Sequence, residues 1–311
     1  MKSSQFFTPM SNRRQFLATS SAVVAGTAFA QAAHADDTDS TDGSLSFAGR
    51  IYKSTKWGMI GEPGSVQEKF ALMKSLGYDG MELESPIGLD AKEVRAASEA
   101  NEMPVHGVVN MKHWQVRLSD PDPKTRENGR AILEECLIES ASFGGDSVLL
   151  VPGRVAGDNE THDQVWQRSI EQIRLVLPTA SRLGVRILIE NVWNGFCTTP
   201  EQLRDYLDEI DSPWVGSYFD IGNVQKFSPP AGWITTLGER IVKLDVKDWG
   251  VEAGFCKIGD GDVDWPAVRI ALDEIGFTGW STAEVGGGKK DRLEEIATRM
   301  NRVLALGKAE G

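Results

Sequence analysis

Four acidic residues each end or interrupt an apolar run in the second half of the chain, and they carry most of the chemistry that the sequence offers. They are Glu190 after RILI, Asp220 after VGSYF, Asp245 within IVKLDVK and Glu284 after GWSTA. The intervals of 30, 25 and 39 residues are each about one strand plus one helix long. A carboxylate at the end of a buried strand is costly to desolvate unless a positive charge compensates it. If a closed barrel brings these ends together, their oxygens form a ligand set for a divalent cation.

The elements that would position these acids alternate short β-rich runs with longer amphipathic segments, which is typical of βα units. The sequence predicts eight strands, at residues 57–60, 80–84, 105–110, 147–151, 186–190, 215–220, 241–247 and 279–284. Helices between them begin at caps such as Thr199-Pro200 and end at glycines such as Gly77. Eight such units predict a single α/β chain folded as a (β/α)8 TIM barrel. An open doubly wound sheet is disfavoured because no G-x-G-x-x-G turn follows the first strand.

Residues 1–35 are expected to form a cleavable export signal. A paired arginine, Arg13-Arg14, precedes a short Ala/Val/Gly/Ser stretch that ends in cleavage-like alanines, and this arrangement resembles a twin-arginine signal. Residues 36–48 predict a short disordered leader, and residues 49–311 the barrel. We therefore expect a protein exported in folded form to the periplasm or the extracellular space. After cleavage no stable membrane insertion is expected, because no later segment is apolar for about 18 residues.

The charge of the chain disfavours nucleic acid as a partner. The formal net charge is −12, and removal of residues 1–35, which contain three cations and no acids, would make it −15. Phosphate backbones require a basic face. The three cysteines lack metal-ligand spacing, so free thiols are the default, with one bridge between Cys197 and Cys256 left open. Homo-oligomerisation is also left open.

Other polar and aromatic residues fall at the predicted carboxyl ends of strands, where a barrel builds its active site. His106 can hold a substrate oxygen or serve as a hydrogen-bonded strand histidine. Lys247 can contact substrate or neutralise the carboxylates, and the tryptophans can stack on a ligand or anchor loops. The predicted substrate-binding residues are Glu82, Glu84, His106, Trp114, Trp193, Asn223 and Lys247.

Six motifs in a fixed order make the chain resemble the xylose-isomerase-like TIM barrels of the sugar phosphate isomerase/epimerase superfamily. The resemblance covers about residues 50–305. The motifs are Gly80-Met-Glu82-Leu, Ile189-Glu190-Asn191, Phe219-Asp220-Ile-Gly-Asn223, Lys243-Leu-Asp245-Val-Lys247-Asp248, Gly259-Asp-Gly-Asp-Val-Asp-Trp265-Pro266 and Gly279-Trp-Ser-Thr-Ala-Glu284.

The resemblance implies one divalent metal held by Glu190, Asp220, Asp245 and Glu284. The sequence departs from the family at Asp245, where histidine is usual. An all-oxygen set favours Mn²⁺ or Mg²⁺ over Zn²⁺. The resemblance also implies proton transfer beside a carbonyl, in which Glu190 and Glu284 remove and return the proton of a small sugar through an enediolate. Because an exported enzyme meets few sugar phosphates, we expect an unphosphorylated substrate.

Three other functions compete with that of an isomerase or epimerase. A metal-dependent lyase or hydrolase acting on 3-keto-glycosides shares the same enolate step, so the residues do not separate it from isomerisation. A non-catalytic carbohydrate-binding barrel is favoured only by the departure at Asp245. The AP-endonuclease branch of the superfamily uses several zinc ions and many histidines. It is disfavoured because only His106, His113 and His162 remain after residue 35.

Overall fold

The protein is described here by a computed structural model that covers residues 45–157 and 160–307. Its barrel strands are β1 Ile51–Lys56, β2 Gly80–Ser85, β3 Val105–Asn110, β4 Ser147–Leu150, β5 Arg186–Glu190, β6 Val215–Asp220, β7 Ile241–Val246 and β10 Gly279–Ala283. All pair in parallel and close in the order β1-β10-β7-β6-β5-β4-β3-β2. The predicted single eight-stranded barrel is therefore confirmed. The predicted signal, and the predicted leader up to residue 44, lie outside the described residues.

Helices cover the outside of the barrel and connect its strands. They are α1 Val66–Ser75, α2 Ala91–Ala100, α3 Pro123–Phe143, α4 His162–Leu183, α5 Pro200–Ile210, α6 Ile221–Gln225, α7 Pro230–Leu237, α8 Trp265–Glu274 and α9 Lys290–Val303. Within the described ranges, no helix combines the length and apolar character needed to cross a bilayer. A small antiparallel hairpin, β8 Asp248–Gly250 and β9 Gly254–Cys256, follows β7 at the mouth of the barrel.

The helix caps form at several of the positions that the sequence indicates. The side chain of Thr199 accepts a hydrogen bond from the amide of Gln202, and Pro200 occupies the first helical position of α5. At the other end of a helix, Gly184 ends α4 with a φ of 68°, a left-handed conformation that favours glycine. These local signals mark where α5 begins and where α4 ends.

The prediction for the first strand is wrong. The strand is Ile51–Lys56, while Trp57–Met59 forms a single 3-10 turn beyond it. Two of the six residues of this strand, IYKSTK, are lysines, which makes its sequence pattern polar. Both lysine side chains are nevertheless buried. The strand tolerates them because each has partners: Lys53 donates to Oδ1 of Asn301 at 2.7 Å, and Lys56 contacts carboxylates described below.

The main apolar core lies between the strands and the helices, whereas the interior of the barrel is largely polar. The hydroxyl of Tyr218 lies 2.7 Å from Oγ1 of Thr282. The ammonium group of Lys243 donates to the backbone oxygen of His106 at 2.6 Å. Each pair joins strands that are not neighbours in the barrel, so the contacts cross its interior. Hydrogen bonding of this kind keeps buried polar side chains in the fold.

The three cysteines all belong to the described part of the chain. Cys136, Cys197 and Cys256 are free thiols there, which confirms the default expectation and leaves no bridge between Cys197 and Cys256.

Candidate active site

Glu190, Asp220, Asp245 and Glu284 converge at the carboxyl end of the barrel. Glu190 and Asp220 are the last residues of β5 and β6, Asp245 lies one residue before the end of β7, and Glu284 directly follows β10. One carboxylate oxygen from each lies within 4.8 Å of the others. The first three side chains are buried and Glu284 is half-buried. We call these four residues the acid cluster.

The donor set of the acid cluster fits a hard divalent cation. Every ligand atom is a carboxylate oxygen, which is the type that Mg²⁺ and similar ions prefer. Oδ1 of Asp245 is buried and accepts no hydrogen bond from the described residues, whereas Oδ2 of Asp220 and Oε2 of Glu284 lie beside the ammonium group of Lys247. Since a buried carboxylate oxygen needs a cation or a donor, Oδ1 of Asp245 is placed to bind a metal.

Two lysines also enter the acid cluster. Nζ of Lys56 lies 2.9 Å from Oδ2 of Asp245 and 2.8 Å from Oε1 of Glu284. Nζ of Lys247 lies 2.9 Å from Oδ2 of Asp220 and 2.5 Å from Oε2 of Glu284. These contacts support the alternative in which Lys247 neutralises the carboxylates. Lys56 was not predicted as a site residue, because the first strand was predicted to start six residues too late.

Burial and the two ammonium groups shift the pKa values of the acid cluster in opposite directions. Burial raises the pKa of Asp220 to about 7, against the opposing effect of Lys247. Burial also holds the pKa values of Glu190 and Asp245 well above their usual range. For Glu284 burial acts in the same direction, but Lys56 and Lys247 together outweigh it and lower the pKa. Glu284 is thus the most readily ionised member of the acid cluster.

Two asparagines hold the acids in place. Asn191 donates through Nδ2 to the backbone oxygen of Asp220 at 2.7 Å and accepts from the amide of Asp220 at 3.0 Å. The side chain of Asn223 donates through Nδ2 to Oε1 of Glu190 at 3.4 Å. The backbone amide of Asn223 donates to Oδ1 of Asp220 at 2.8 Å. One oxygen of Asp220 therefore caps α6, while the other points toward the acid cluster.

A cavity of about 470 Å³ opens above the acid cluster. Glu190 and Glu284 line it together with five of the residues predicted to bind substrate: Glu84, Trp114, Trp193, Asn223 and Lys247. The two tryptophans are 39% and 37% exposed, and the ring of Trp193 also has the ammonium group of Lys226 4.2 Å from its centroid. The walls therefore combine aromatic rings with polar groups, as small-molecule sites commonly do.

His113 is a further wall residue, which the sequence placed near the site without a role. The backbone amide of Val151 donates to Nδ1 of His113 at 3.2 Å. Because Nδ1 is the acceptor, the ring proton lies on Nε2. Burial lowers the pKa of His113 to about 3, so the ring is neutral at physiological pH. His113 therefore lines the cavity as a neutral ring with its proton on Nε2.

Glu82 and His106 are not among the residues that line this cavity. Glu82 is completely buried, and neither of its carboxylate oxygens accepts a hydrogen bond of normal geometry from the described chain. His106 lies in the interior with Nε2 2.8 Å from the hydroxyl of Ser54. This contact supports the alternative in which His106 is a hydrogen-bonded strand histidine. Substrate contact by either residue stays a prediction.

A second cavity of about 570 Å³ adjoins the first and shares Lys247, Phe255 and Glu284 with it. The hairpin β8–β9 contributes Phe255, whose ring stacks on Trp193 with centroids 4.7 Å apart. Lys257 and Arg292 supply positive charge to the wall, and both pair with Glu295. The cleft at the barrel mouth is therefore longer than the space directly above the acid cluster.

The glycine-rich loop after β10 is packed against the segment that follows β1. A Cβ atom added at Gly287 would lie 2.1 Å from the backbone oxygen of Met59, so the close approach requires glycine. The next helix, α9, begins at Lys290, and its amide donates to Oε2 of Glu62 at 3.1 Å. A carboxylate from the protein thus already occupies the helix start at which a barrel often binds phosphate.

Comparison with known proteins gives a family match across most of the chain. Residues 70–304 match the family model described as "Xylose isomerase-like TIM barrel". An uncharacterized protein of Methanocaldococcus jannaschii is 28% identical over 174 residues, which are 52% of this chain and 59% of that protein. The chain thus spans less than two thirds of the length of that relative.

Two further proteins are similar over more of their length. L-ribulose-5-phosphate 3-epimerase UlaE of Escherichia coli is 25% identical over 260 residues, which are 76% of this chain and 88% of the epimerase. The crystal structure of 3-keto-D-glucoside 4-epimerase YcjR from E. coli superposes with a TM-score of 0.70 at 17% identity. It covers 82% of this chain and 100% of YcjR. At that identity the superposition supports the fold alone.

Proposed function

Because the chain belongs to the xylose isomerase-like TIM barrel family, we propose that it is a sugar isomerase or epimerase that uses one divalent metal ion, Mn²⁺ or Mg²⁺. The observation that carries the proposal is the convergence of four carboxylate oxygens within 4.8 Å at the mouth of the barrel. Relatives named as sugar 3-epimerases support the reaction class. Glu190, Asp220, Asp245 and Glu284 would hold the ion.

Glu190 and Glu284 are the proposed proton-transfer residues. Both line the cavity above the acid cluster and come from β5 and the end of β10, so they approach a substrate from different sides. One carboxylate removes the proton beside a carbonyl and the other returns a proton to the neighbouring carbon or to the opposite face. When bound, a divalent cation would stabilise negative charge that develops on the substrate oxygens. Asn223 keeps Glu190 oriented through the contact at 3.4 Å.

The cavity walls suit an open-chain sugar. The exposed ring of Trp114 offers an apolar face to C–H groups, the part of Trp193 not covered by Phe255 adds to the wall, and His113 offers an N–H donor to a hydroxyl or carbonyl oxygen. Lys247 lies on the wall between the acid cluster and the second cavity. These side chains bind and orient substrate, while Glu190 and Glu284 carry out the proton transfer.

An unphosphorylated sugar is the proposed substrate, although the name of one relative includes a 5-phosphate. Support comes from Glu62, whose carboxylate accepts from the first amide of α9. A phosphate at this position would face a negative charge instead of free N–H donors.

A second candidate function is elimination or hydrolysis of a 3-keto-glycoside. The specific observation in its favour is the adjoining cavity of about 570 Å³, which gives a second sugar unit space beside the reacting one. The proton removal would be the same, followed by loss of the glycosidic group. Product analysis separates the two, because only elimination or hydrolysis releases the second unit.

The test is solvent-proton exchange during reaction. Metal-free protein would be reloaded with Mn²⁺, Mg²⁺ or Zn²⁺ and incubated in D₂O with a panel of free ketoses, aldoses and 3-keto-glycosides, with NMR detection of deuterium at carbon. We expect metal-dependent incorporation that falls at least about 100-fold in Glu190→Gln and Glu284→Gln. Glu201→Gln, on the exposed first turn of α5, is the matched control and retains activity. A folded protein that exchanges no sugar and takes up no metal would instead be a carbohydrate-binding barrel.

A further inference from the structure

Lys56 pairs with two members of the acid cluster. Its ammonium group lies 2.9 Å from Oδ2 of Asp245 and 2.8 Å from Oε1 of Glu284, and the side chain is 10% exposed. A divalent ion held by all four acids would therefore sit close to this ammonium group. Two cations in a poorly solvated interior repel strongly. Either the metal binds weakly or Lys56 moves when it arrives.

A second partner for Lys56 exists in the neighbouring strand. Lys56 and Glu82 are Cα partners in the parallel pairing of β1 with β2. Burial raises the pKa of Glu82 to about 7, and the positive charge of Lys56 opposes this shift. Glu82 is fully buried and its side chain interacts with the hydroxyl of Tyr218, although neither of its oxygens accepts a hydrogen bond of normal geometry from the described residues. A buried carboxylate without such partners is costly unless a cation reaches it.

The other cations near Glu82 and the acid cluster are differently placed. Lys243 donates to Oδ1 of Asp146 at 2.6 Å and to the hydroxyl of Ser147 at 2.7 Å, so its ammonium group is already engaged. Lys247 lines the open cavity and is already paired with Asp220 and Glu284. Lys56 is the lysine whose strand pairing places it beside both Glu82 and the acid cluster.

We propose that Lys56 is an exchangeable counter-ion. Without a divalent cation it pairs with Asp245 and Glu284, and when the ion binds it turns to Glu82. The inference rests on the acid cluster of the proposed function as the metal site. Lys56 then stabilises the metal-free fold and lowers its metal affinity, while Glu82 limits the loss of affinity by accepting the displaced ammonium group.

The first test is Mn²⁺ titration of metal-free protein by calorimetry, with the melting temperature of each sample. In Lys56→Met the competing charge is gone, so we expect the dissociation constant for Mn²⁺ to fall at least about tenfold. The melting temperature of the metal-free variant should fall as well, because Asp245 loses its partner. An unchanged or larger dissociation constant in Lys56→Met would overturn the proposal.

The second test asks whether Glu82 acts through Lys56. Glu82→Gln should weaken Mn²⁺ binding about tenfold in the wild-type background and in Lys247→Met, since the displaced ammonium group loses its acceptor. In Lys56→Met the same change should alter the dissociation constant by about twofold or less. Equal weakening in all three backgrounds would show that Glu82 is a general negative charge, which contradicts the proposal.

A third measurement uses unaltered protein and so does not depend on the folding of a variant. Crystal structures with and without Mg²⁺ should show the ammonium group of Lys56 within about 3.2 Å of a Glu82 oxygen only when Mg²⁺ is bound. Persistence of the contacts with Asp245 and Glu284 in the Mg²⁺ form would overturn the exchange.

The same titrations separate failure of this inference from failure of the proposed function. Equal, measurable dissociation constants in wild type and Lys56→Met would leave the metal site intact and remove the counter-ion role. Binding by Lys56→Met alone would support the counter-ion role and count against metal use by the natural chain. No binding by either protein would overturn both.

Discussion

The carboxylate of Glu62 accepts a hydrogen bond from the backbone amide of Lys290, at 3.1 Å, and places a negative charge at the start of α9. A helix start presents unpaired N–H groups and a partial positive charge, so this contact stabilises the fold and leaves less attraction for an outside anion. The position of Glu62 therefore bears on both stability and substrate choice.

Removal of the Glu62 carboxylate should lower the stability of the fold and allow phosphate to bind at the start of α9. For Glu62→Ala we expect a loss of about 0.5–1 kcal/mol in the free energy of unfolding, measured by urea denaturation. Glu62→Gln keeps an acceptor oxygen and should lose less. Inorganic phosphate should raise the melting temperature of Glu62→Ala but not that of the wild type. A phosphate effect on the wild type of equal size would contradict an unphosphorylated substrate.

His113 should contribute to the reaction of the substrate but not to metal affinity. Its Nδ1 is occupied by the amide of Val151 at 3.2 Å, which leaves the Nε2 proton for a substrate oxygen. In His113→Phe, which keeps ring volume, we expect kcat/KM to fall about tenfold or more because one positioned donor is lost. The dissociation constant for Mn²⁺ should change by about twofold or less. A large loss of metal affinity would instead place His113 in the metal site.

Metal affinity should depend on pH. Burial raises the pKa of Asp220 to about 7, and those of Glu190 and Asp245 are also raised. The metal-free fold therefore holds protons that a metal must displace, and affinity should rise as pH increases through about 7. Calorimetry in buffers of different ionisation enthalpy measures the proton release directly. We expect metal binding to release protons at about pH 6 and fewer protons at about pH 8. A metal affinity that is constant over this pH range would contradict the prediction.

Export by the twin-arginine route remains a proposal from Arg13 and Arg14, which lie outside the described residues. The replacement of both arginines by lysine keeps the charge and removes the recognised pair. We expect the full-length variant to stay in the cytoplasm of a bacterial host while the wild type reaches the periplasm, as measured by cell fractionation. Equal export of both would exclude this route.

The acids could be predicted from the sequence because each follows an apolar run of strand length, and a closed barrel then dictates their convergence. The same logic does not separate ligands from structural carboxylates. Asp248, near the end of β7, accepts from the amide of Gly259 at 2.8 Å and from Nε1 of Trp265 at 3.0 Å, and so holds a loop together. A sequence shows that such an acid is near the mouth, but not which donors face it.

Lys56 and Glu82 show why the interior of the barrel was harder to predict. The strand IYKSTK lacks the apolar pattern by which strands are recognised, since its buried lysines depend on partners from distant parts of the chain. Glu82 and Glu84 share one face of β2 by periodicity, yet only Glu84 lines the cavity. Periodicity gives the direction of a side chain but not its depth in the barrel.

The central claim is that one divalent ion touches all four members of the acid cluster, and anomalous diffraction from crystals soaked in Mn²⁺ tests it most directly. We predict one strong peak per chain at about 2.0–2.6 Å from an oxygen of Glu190, Asp220, Asp245 and Glu284. A map without a peak among these four carboxylates, or with the ion bound elsewhere, would contradict the account.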